Sequence, residues 1–160
     1  MMQRRLSRRA IMVGATALAW SALPALAASR PSISVLKDPN CGCCEVWVDI
    51  LREEGFDVEV TPMRPDRIAR RKSALGVPRH LTSCHTGVVD GYVIEGHVPV
   101  ADIRRLLEER PDAIGLAVPG MPYGSPGMGP EDEREAYDVM LIERDGGTSV
   151  FSSYAAGEKA

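Results

Sequence analysis

Hydrophobic and polar positions alternate or recur at helical spacing along most of the chain, so its elements can be placed from pattern alone. Ile33-Ser34-Val35-Leu36-Lys37 is a short alternating strand closed by Asp38-Pro39-Asn40. The next dozen residues change to helical spacing, with Trp47, Ile50 and Leu51 on one face, and Gly55 ends that helix. Phe56 to Val60 alternates as a second strand, which Pro62 and Pro65 interrupt, and Asp66 to Leu75 follows as a basic helix stopped by Gly76 and Pro78.

Gly87-Val88-Val89 and Tyr92-Val93-Ile94 flank Asp90-Gly91, a pair that tolerates positive φ and so favours a two-residue hairpin. Pro99 opens a helix through Ile103, Leu106 and Leu107 that runs to Pro111. The order β-α-β-α-β-β-α matches an α/β, thioredoxin-like core, with another small α+β sandwich as the alternative. Val77-Pro78 is the candidate for the cis-proline loop of such a core.

Beyond the core, nine of the sixteen residues from Gly115 to Pro130 are glycine or proline, so residues 115–130 read as a loop or arm carrying Met121 and Met128, neither helix nor central strand. Tyr137 to Ile142 and Thr148 to Phe151 flank Gly146-Gly147 and predict a terminal hairpin, within 137–154, docking on the core sheet.

The first 27 residues have another character. Arg4, Arg5, Arg8 and Arg9 precede the apolar run from Ala10 to Ala27, which ends in Ala25-Leu26-Ala27, a small-x-small cleavage site. We read residues 1–27 as a cleaved export signal and 28–160 as the mature domain. Ser7-Arg8-Arg9-Ala10-Ile11-Met12 has the form of a twin-arginine signal, implying export after folding to the periplasm. An ordinary secretory signal and a retained anchor are the competing readings, and Pro24 weakens the anchor. No later apolar stretch is long enough to cross a bilayer. Without the signal, 15 basic residues face 22 acidic ones, which argues against nucleic-acid binding.

Candidate chemistry sits in the cysteines. Four in an exported chain would ordinarily form two disulfides, but Cys41-Gly42-Cys43-Cys44 crowds three sulfurs into four residues, and adjacent cysteines pair only through a strained ring. The cluster lies where the first strand ends and the first helix begins, where free amide N–H groups favour thiolate. Cys41 and Cys44 form a C-x-x-C pair suited to disulfide exchange, as nucleophile and resolving thiol; Cys43 has no place in a plain redox motif. A third thiol fits a soft metal, since Cu(I) prefers two or three thiolates and neighbouring sulfurs bridge ions, with Cys84 as a fourth ligand.

His85, His97, Met121 and Met128 are secondary copper-ligand candidates. Their bland alternatives are surface or hydrogen-bonded histidines and methionines that merely pack the arm. Arg67, Arg70, Arg71 and Lys72 form one basic face that keeps their helix soluble, and Glu131-Asp132-Glu133 is a solvated helix start. Phosphate loop, G-x-S-x-G elbow, H-E-x-x-H helix and nucleotide-binding glycine turn are all missing.

Taken together, Lys37-Asp38-Pro39-Asn40-Cys41-Gly42-Cys43-Cys44, Ser83-Cys84-His85-Thr86, Gly91 to Pro99, Gly115 to Pro122 and Gly124 to Met128 resemble the exported CopG-type metal-binding proteins of bacterial copper resistance. The resemblance runs from about Ile33 to Tyr154. It implies a thioredoxin-like fold whose C-x-C-C cysteines hold copper, more than one ion in a multinuclear cluster, with a role in copper tolerance and Cu(I)/Cu(II) interconversion. Metal binding falls to Cys41, Cys43, Cys44 and Cys84, and the family's histidines and loop methionines map onto His85, His97, Met121 and Met128. Gly129 departs from the pattern, standing where an acidic residue is frequent.

Three functions remain to be weighed. One is an exported copper-binding protein whose thiolates sequester Cu(I) or cycle it with Cu(II), with other periplasmic copper-handling proteins as partners and no membrane contact after cleavage. Another is a thiol–disulfide oxidoreductase using Cys41 and Cys44. The last is a closed structural zinc site from Cys41, Cys43 or Cys44, Cys84 and His85.

Overall fold

A computed structural model describes residues 30–159. The expected signal over residues 1–27 lies outside the described residues. Ten regular elements follow in the order β1 (Ser32–Lys37), α1 (Gly42–Glu53), β2 (Asp57–Pro62), α2 (Pro65–Ala74), β3 (Thr86–Val89), β4 (Tyr92–Glu95), α3 (Val100–Glu109), β5 (Ala113–Ala117), β6 (Tyr137–Glu143) and β7 (Thr148–Tyr154). The protein is of the α/β class, and the described residues form three helices around one seven-stranded sheet ordered β2-β1-β3-β4-β5-β6-β7.

β1 runs parallel to β2 and antiparallel to β3, and the β3–β4 hairpin turns at Asp90 and Gly91, both with positive φ. This is the hairpin expected from Asp-Gly. The terminal hairpin β6–β7 also forms and docks through antiparallel pairing of β6 on β5.

Strand alternation sorts the core into two faces. Ile33, Val35, Ile94 and Leu116 meet Trp47, Val48 and Leu51 of α1 and Ile103 and Leu106 of α3 on one side. Val93, Ala117 and Ile142 meet Val77 and Leu81, which follow α2, on the other. Helices therefore cover both faces, and their buried apolar stripes stabilise the sheet by roughly 25 cal/mol per Å² of apolar surface removed from water.

Three expectations need correction. The Gly/Pro segment opens as a central strand: β5 takes Gly115, Leu116 and Ala117 and runs parallel to β4. A Cβ at Gly115 would stand 1.8 Å from the Val93 carbonyl oxygen, so the glycine that reads as a strand breaker is what lets β5 approach β4. Second, the Val77–Pro78 peptide is trans; Pro78 is extended and caps a single 3-10 turn, Arg79–Leu81. Third, Lys72 is not on a solvated basic face. It is 3% exposed, and with Ile68, four residues earlier on the same helical face, it turns inward. Glu131–Glu133 is an exposed 3-10 turn, as the acidic run suggested.

Candidate metal and redox centre

Topology brings the separated cysteines together. Antiparallel pairing of Leu36 with Thr86 puts the residues before β3 beside those after β1, so Cys84 arrives next to the Cys41 turn. Pairing of Thr86 with Glu95 brings His97 beside the same place. Cys41 caps α1 and Cys43 and Cys44 fall in its first turn, among unpaired backbone N–H groups and at the positive end of the helix dipole. Ligand atoms of Cys41, Cys43, Cys44 and Cys84 lie within 4.8 Å of one another, and so do those of Cys84, His85 and His97. Cys84 belongs to both groups.

Cys41 and Cys44 are joined by a disulfide, whereas Cys43 and Cys84 are free thiols. Cys43 Sγ stands 3.5 Å from Cys41 Sγ. Cys44 is wholly buried and Cys41 half-buried, so the disulfide presents one sulfur outward. Burial, reinforced by the neighbouring Cys43, pushes the Cys84 thiol up to about 11, so it keeps its proton until a metal displaces it.

Both histidines are fully buried, against the surface position expected of an isolated histidine. Cys84 Sγ lies 3.3 Å from His85 Nδ1 and 3.2 Å from His97 Nε2. The Pro126 carbonyl accepts a hydrogen bond from His97 Nδ1–H at 2.8 Å, which leaves the Nε2 lone pair facing Cys84. His85 packs against Trp47 with 4.3 Å between ring centres and the rings tilted by 39°, and its Nε2 is buried without a hydrogen-bond partner. Trp47 is itself fixed by donating Nε1–H to Val98 O at 3.0 Å.

Burial, helped by His97 and Lys72, holds His85 well below the ordinary 6.5, and burial also lowers His97. The sign for stability follows. Below pH 6.5 the unfolded chain takes up protons that the folded protein refuses, so stability present above 6.5 is lost as pH falls toward the lowered folded-state values. Urea unfolding of the metal-free protein should show a loss of about 1 kcal/mol or more between pH 7.5 and 5.5. Equal stability at both would contradict neutral, buried imidazoles.

The Gly/Pro segment is built against this centre rather than standing apart as an arm. Its Pro126 carbonyl holds His97, Ser83 Oγ donates to the Gly120 carbonyl, and Gly127 lies on the first turn of α1. Gly127 has φ +87°, and a Cβ there would meet Cys43 O and Trp47 N at 3.0 Å. Gly127→Ala should therefore cost about 1–2 kcal/mol in thermal unfolding and weaken metal retention by moving Pro126 off His97. Unchanged stability and retention would separate the segment from the site. Met128 is half-buried next to Gly127, while Met121 is 54% exposed.

Sequence reasoning missed Lys72 and Glu95. Lys72 Nζ donates to Ser83 O at 2.6 Å, His85 O at 3.2 Å and Glu95 Oε1 at 2.5 Å, gripping the chain on both sides of Cys84. Glu95 Oε1 also accepts the Ser83 N–H at 2.6 Å. Burial raises the Glu95 carboxyl above its ordinary value and the Lys72 charge opposes that rise. The i, i+4 spacing of Lys72 from Ile68 was the available signal.

A cleft of about 770 Å³ opens on Cys41 and Cys84 between α2 and the 3-10 turn. Pro65, Ile68 and Val77 give it an apolar wall, and Asp38, Arg70 and Arg79 its charges.

A family described as "Protein of unknown function, DUF411" matches residues 81–128, the stretch that holds Cys84, His85, His97, Met121 and Met128. Two solved structures are similar over most of the chain. "Copper resistance protein copG- Form 2" is 49% identical, with a TM-score of 0.72, and "Copper resistance protein copG- Form 1" is 48% identical, with a TM-score of 0.73. Each alignment covers 78% of this chain and 98% of the other. No curated protein matches the chain.

Proposed function

Because the chain belongs to the family of the copper resistance protein CopG, we propose that it is an exported copper-binding protein, active in copper tolerance, whose reduced Cys41, Cys43, Cys44 and Cys84 hold more than one Cu(I) ion. The observation that carries this reading is the convergence of four sulfurs within 4.8 Å, one of them shared with two buried imidazoles. Clustered thiolates select soft Cu(I) and bridge neighbouring ions, while imidazole suits both Cu(I) and Cu(II). A mixed sulfur and nitrogen set is thus suited to a site that changes oxidation state. His97, with its lone pair already aimed by Pro126, is the stronger nitrogen ligand; His85 is the second, and Met128 and Met121 are outer donors of the 115–130 segment.

A sulfur tied in a disulfide is a poor ligand, so the form with Cys41 joined to Cys44 offers copper only Cys43, Cys84 and the histidines. Reduction restores the full set. Copper titration of reduced and of oxidised protein, both metal-free at the start, tests this: more than one ion per reduced chain and fewer per oxidised chain are expected. One tightly held zinc per chain, with unfolding on chelation, would replace copper by the structural-zinc reading.

A second reading, thiol–disulfide exchange through Cys41 and Cys44, is favoured by the disulfide itself and by the exposure of only one of its sulfurs. The β2-β1-β3-β4 order, with a C-x-x-C at the start of α1, supports a thioredoxin-like core to which β5, β6 and β7 are added. Export through the twin-arginine route rests on Arg8-Arg9 and Ala25-Leu26-Ala27, and other periplasmic copper-handling proteins are its proposed partners. No helix of the described residues is long and apolar enough to cross a membrane. Secreted protein should begin at Ala28, and replacing both Arg8 and Arg9 with lysine should stop its appearance outside the cytoplasm; continued export would assign it to the general secretory route.

A further inference from the structure

The basic helix α2 is left unexplained by copper binding. Arg64, Arg67, Arg70 and Arg71 are exposed along it and Arg79 follows it, on a chain whose described part is otherwise acidic. Asp66 neutralises Arg64 and Arg70, at 3.2 and 2.8 Å. Arg79 lines the cleft and has no carboxylate partner among the described residues. Of the other two lining cations, Arg70 is paired with Asp66 and Lys72 is spent inside the protein on Glu95. The single lining acid, Asp38, accepts the Asn40 N–H at 2.8 Å on the Cys41 side.

The cleft is thus lined by both an exposed cation without a carboxylate partner and an anion, with Cys41, the less buried end of the disulfide, in its wall. Its volume of about 770 Å³ is of the size that holds small ligands. We propose that the cleft docks a small cysteine-containing peptide bearing free carboxylates, and that the thiolate of this peptide opens the Cys41–Cys44 disulfide. Its carboxylate faces Arg79, and its ammonium group suits Asp38.

The exchange balances without any further reagent. The incoming thiolate attacks Cys41 Sγ, forms a mixed disulfide and releases Cys44 as thiolate into the first turn of α1, where backbone N–H groups stabilise it. A second peptide thiolate attacks the peptide's own sulfur in the mixed disulfide. One peptide disulfide leaves, and Cys41 and Cys44 are reduced with the two electrons supplied by two thiols. Attack at Cys44 is blocked because that residue is fully buried.

The test needs no copper, so its outcome is independent of the metal reading. Full-length, metal-free oxidised protein is reduced with glutathione, with neutral 2-mercaptoethanol or with cationic cysteamine, at matched thiolate concentrations and corrected for thiolate basicity. Glutathione should be several-fold faster than the neutral thiol, should saturate with concentration and should lose its advantage at high salt. Arg79→Glu should abolish that advantage and leave 2-mercaptoethanol unchanged; a charge change at this exposed position spares the fold. In Cys44→Ser, glutathione disulfide should leave its adduct on Cys41. Rates that follow basicity alone without saturation, or an adduct confined to Cys43 or Cys84, would overturn the proposal. The wild-type salt dependence decides it even without the variant.

Discussion

Cys43→Ser should reduce the copper bound by the reduced protein from more than one ion per chain to one or none, while leaving disulfide formation between Cys41 and Cys44 intact. Cys43 Sγ is 3.5 Å from Cys41 Sγ and within the group of four, so it is placed to bridge ions held by its neighbours. A hydroxyl is too hard a donor to replace a thiolate on Cu(I). The residue is half-exposed in the first turn of α1, so serine should disturb the fold little. Copper analysis and thiol counting on one preparation read both effects. Unchanged stoichiometry would remove Cys43 from the site and shift the balance toward an oxidoreductase.

The largest loss of stability should come from Lys72→Met. Its ammonium is the only cation paired with the buried Glu95 among the described residues, and it also holds the carbonyls on both sides of Cys84. Removing one partner of a buried pair costs about 3–5 kcal/mol, because the other charge is left without compensation. Adding Glu95→Gln removes that charge and keeps an oxygen for the Ser83 N–H, so the double variant should recover a substantial part of the loss. Urea unfolding of the single and double variants measures this. A loss below about 1 kcal/mol, or no recovery, would mean that the pair does not anchor the Cys84 segment.

The parts legible in the sequence were those set by short-range rules. Asp90-Gly91 fixed a hairpin, and the crowding of Cys41, Cys43 and Cys44 announced reactive sulfur because all three lie within one turn. Cys84 could be joined to them only through an assumed topology, which the Leu36–Thr86 pairing provides. β5 escaped notice because Gly115 has no side chain to show a pattern, yet its bareness is the condition for packing on Val93. Burial of His85, His97 and Lys72 also escaped, since each is polar and is covered by segments distant in sequence. Trp47, Pro126 and Glu95 supply the ring contact, the carbonyl and the carboxylate that make that burial tolerable.

X-ray absorption at the copper edge, on reduced and copper-loaded protein, tests the central claim most directly. Sulfur-dominated coordination with some imidazole nitrogen and a copper neighbour at short range is the predicted result, and the copper neighbour should vanish in Cys43→Ser. Copper bound only by nitrogen and oxygen, with the Cys41–Cys44 disulfide still closed, would contradict a thiolate copper centre in this protein.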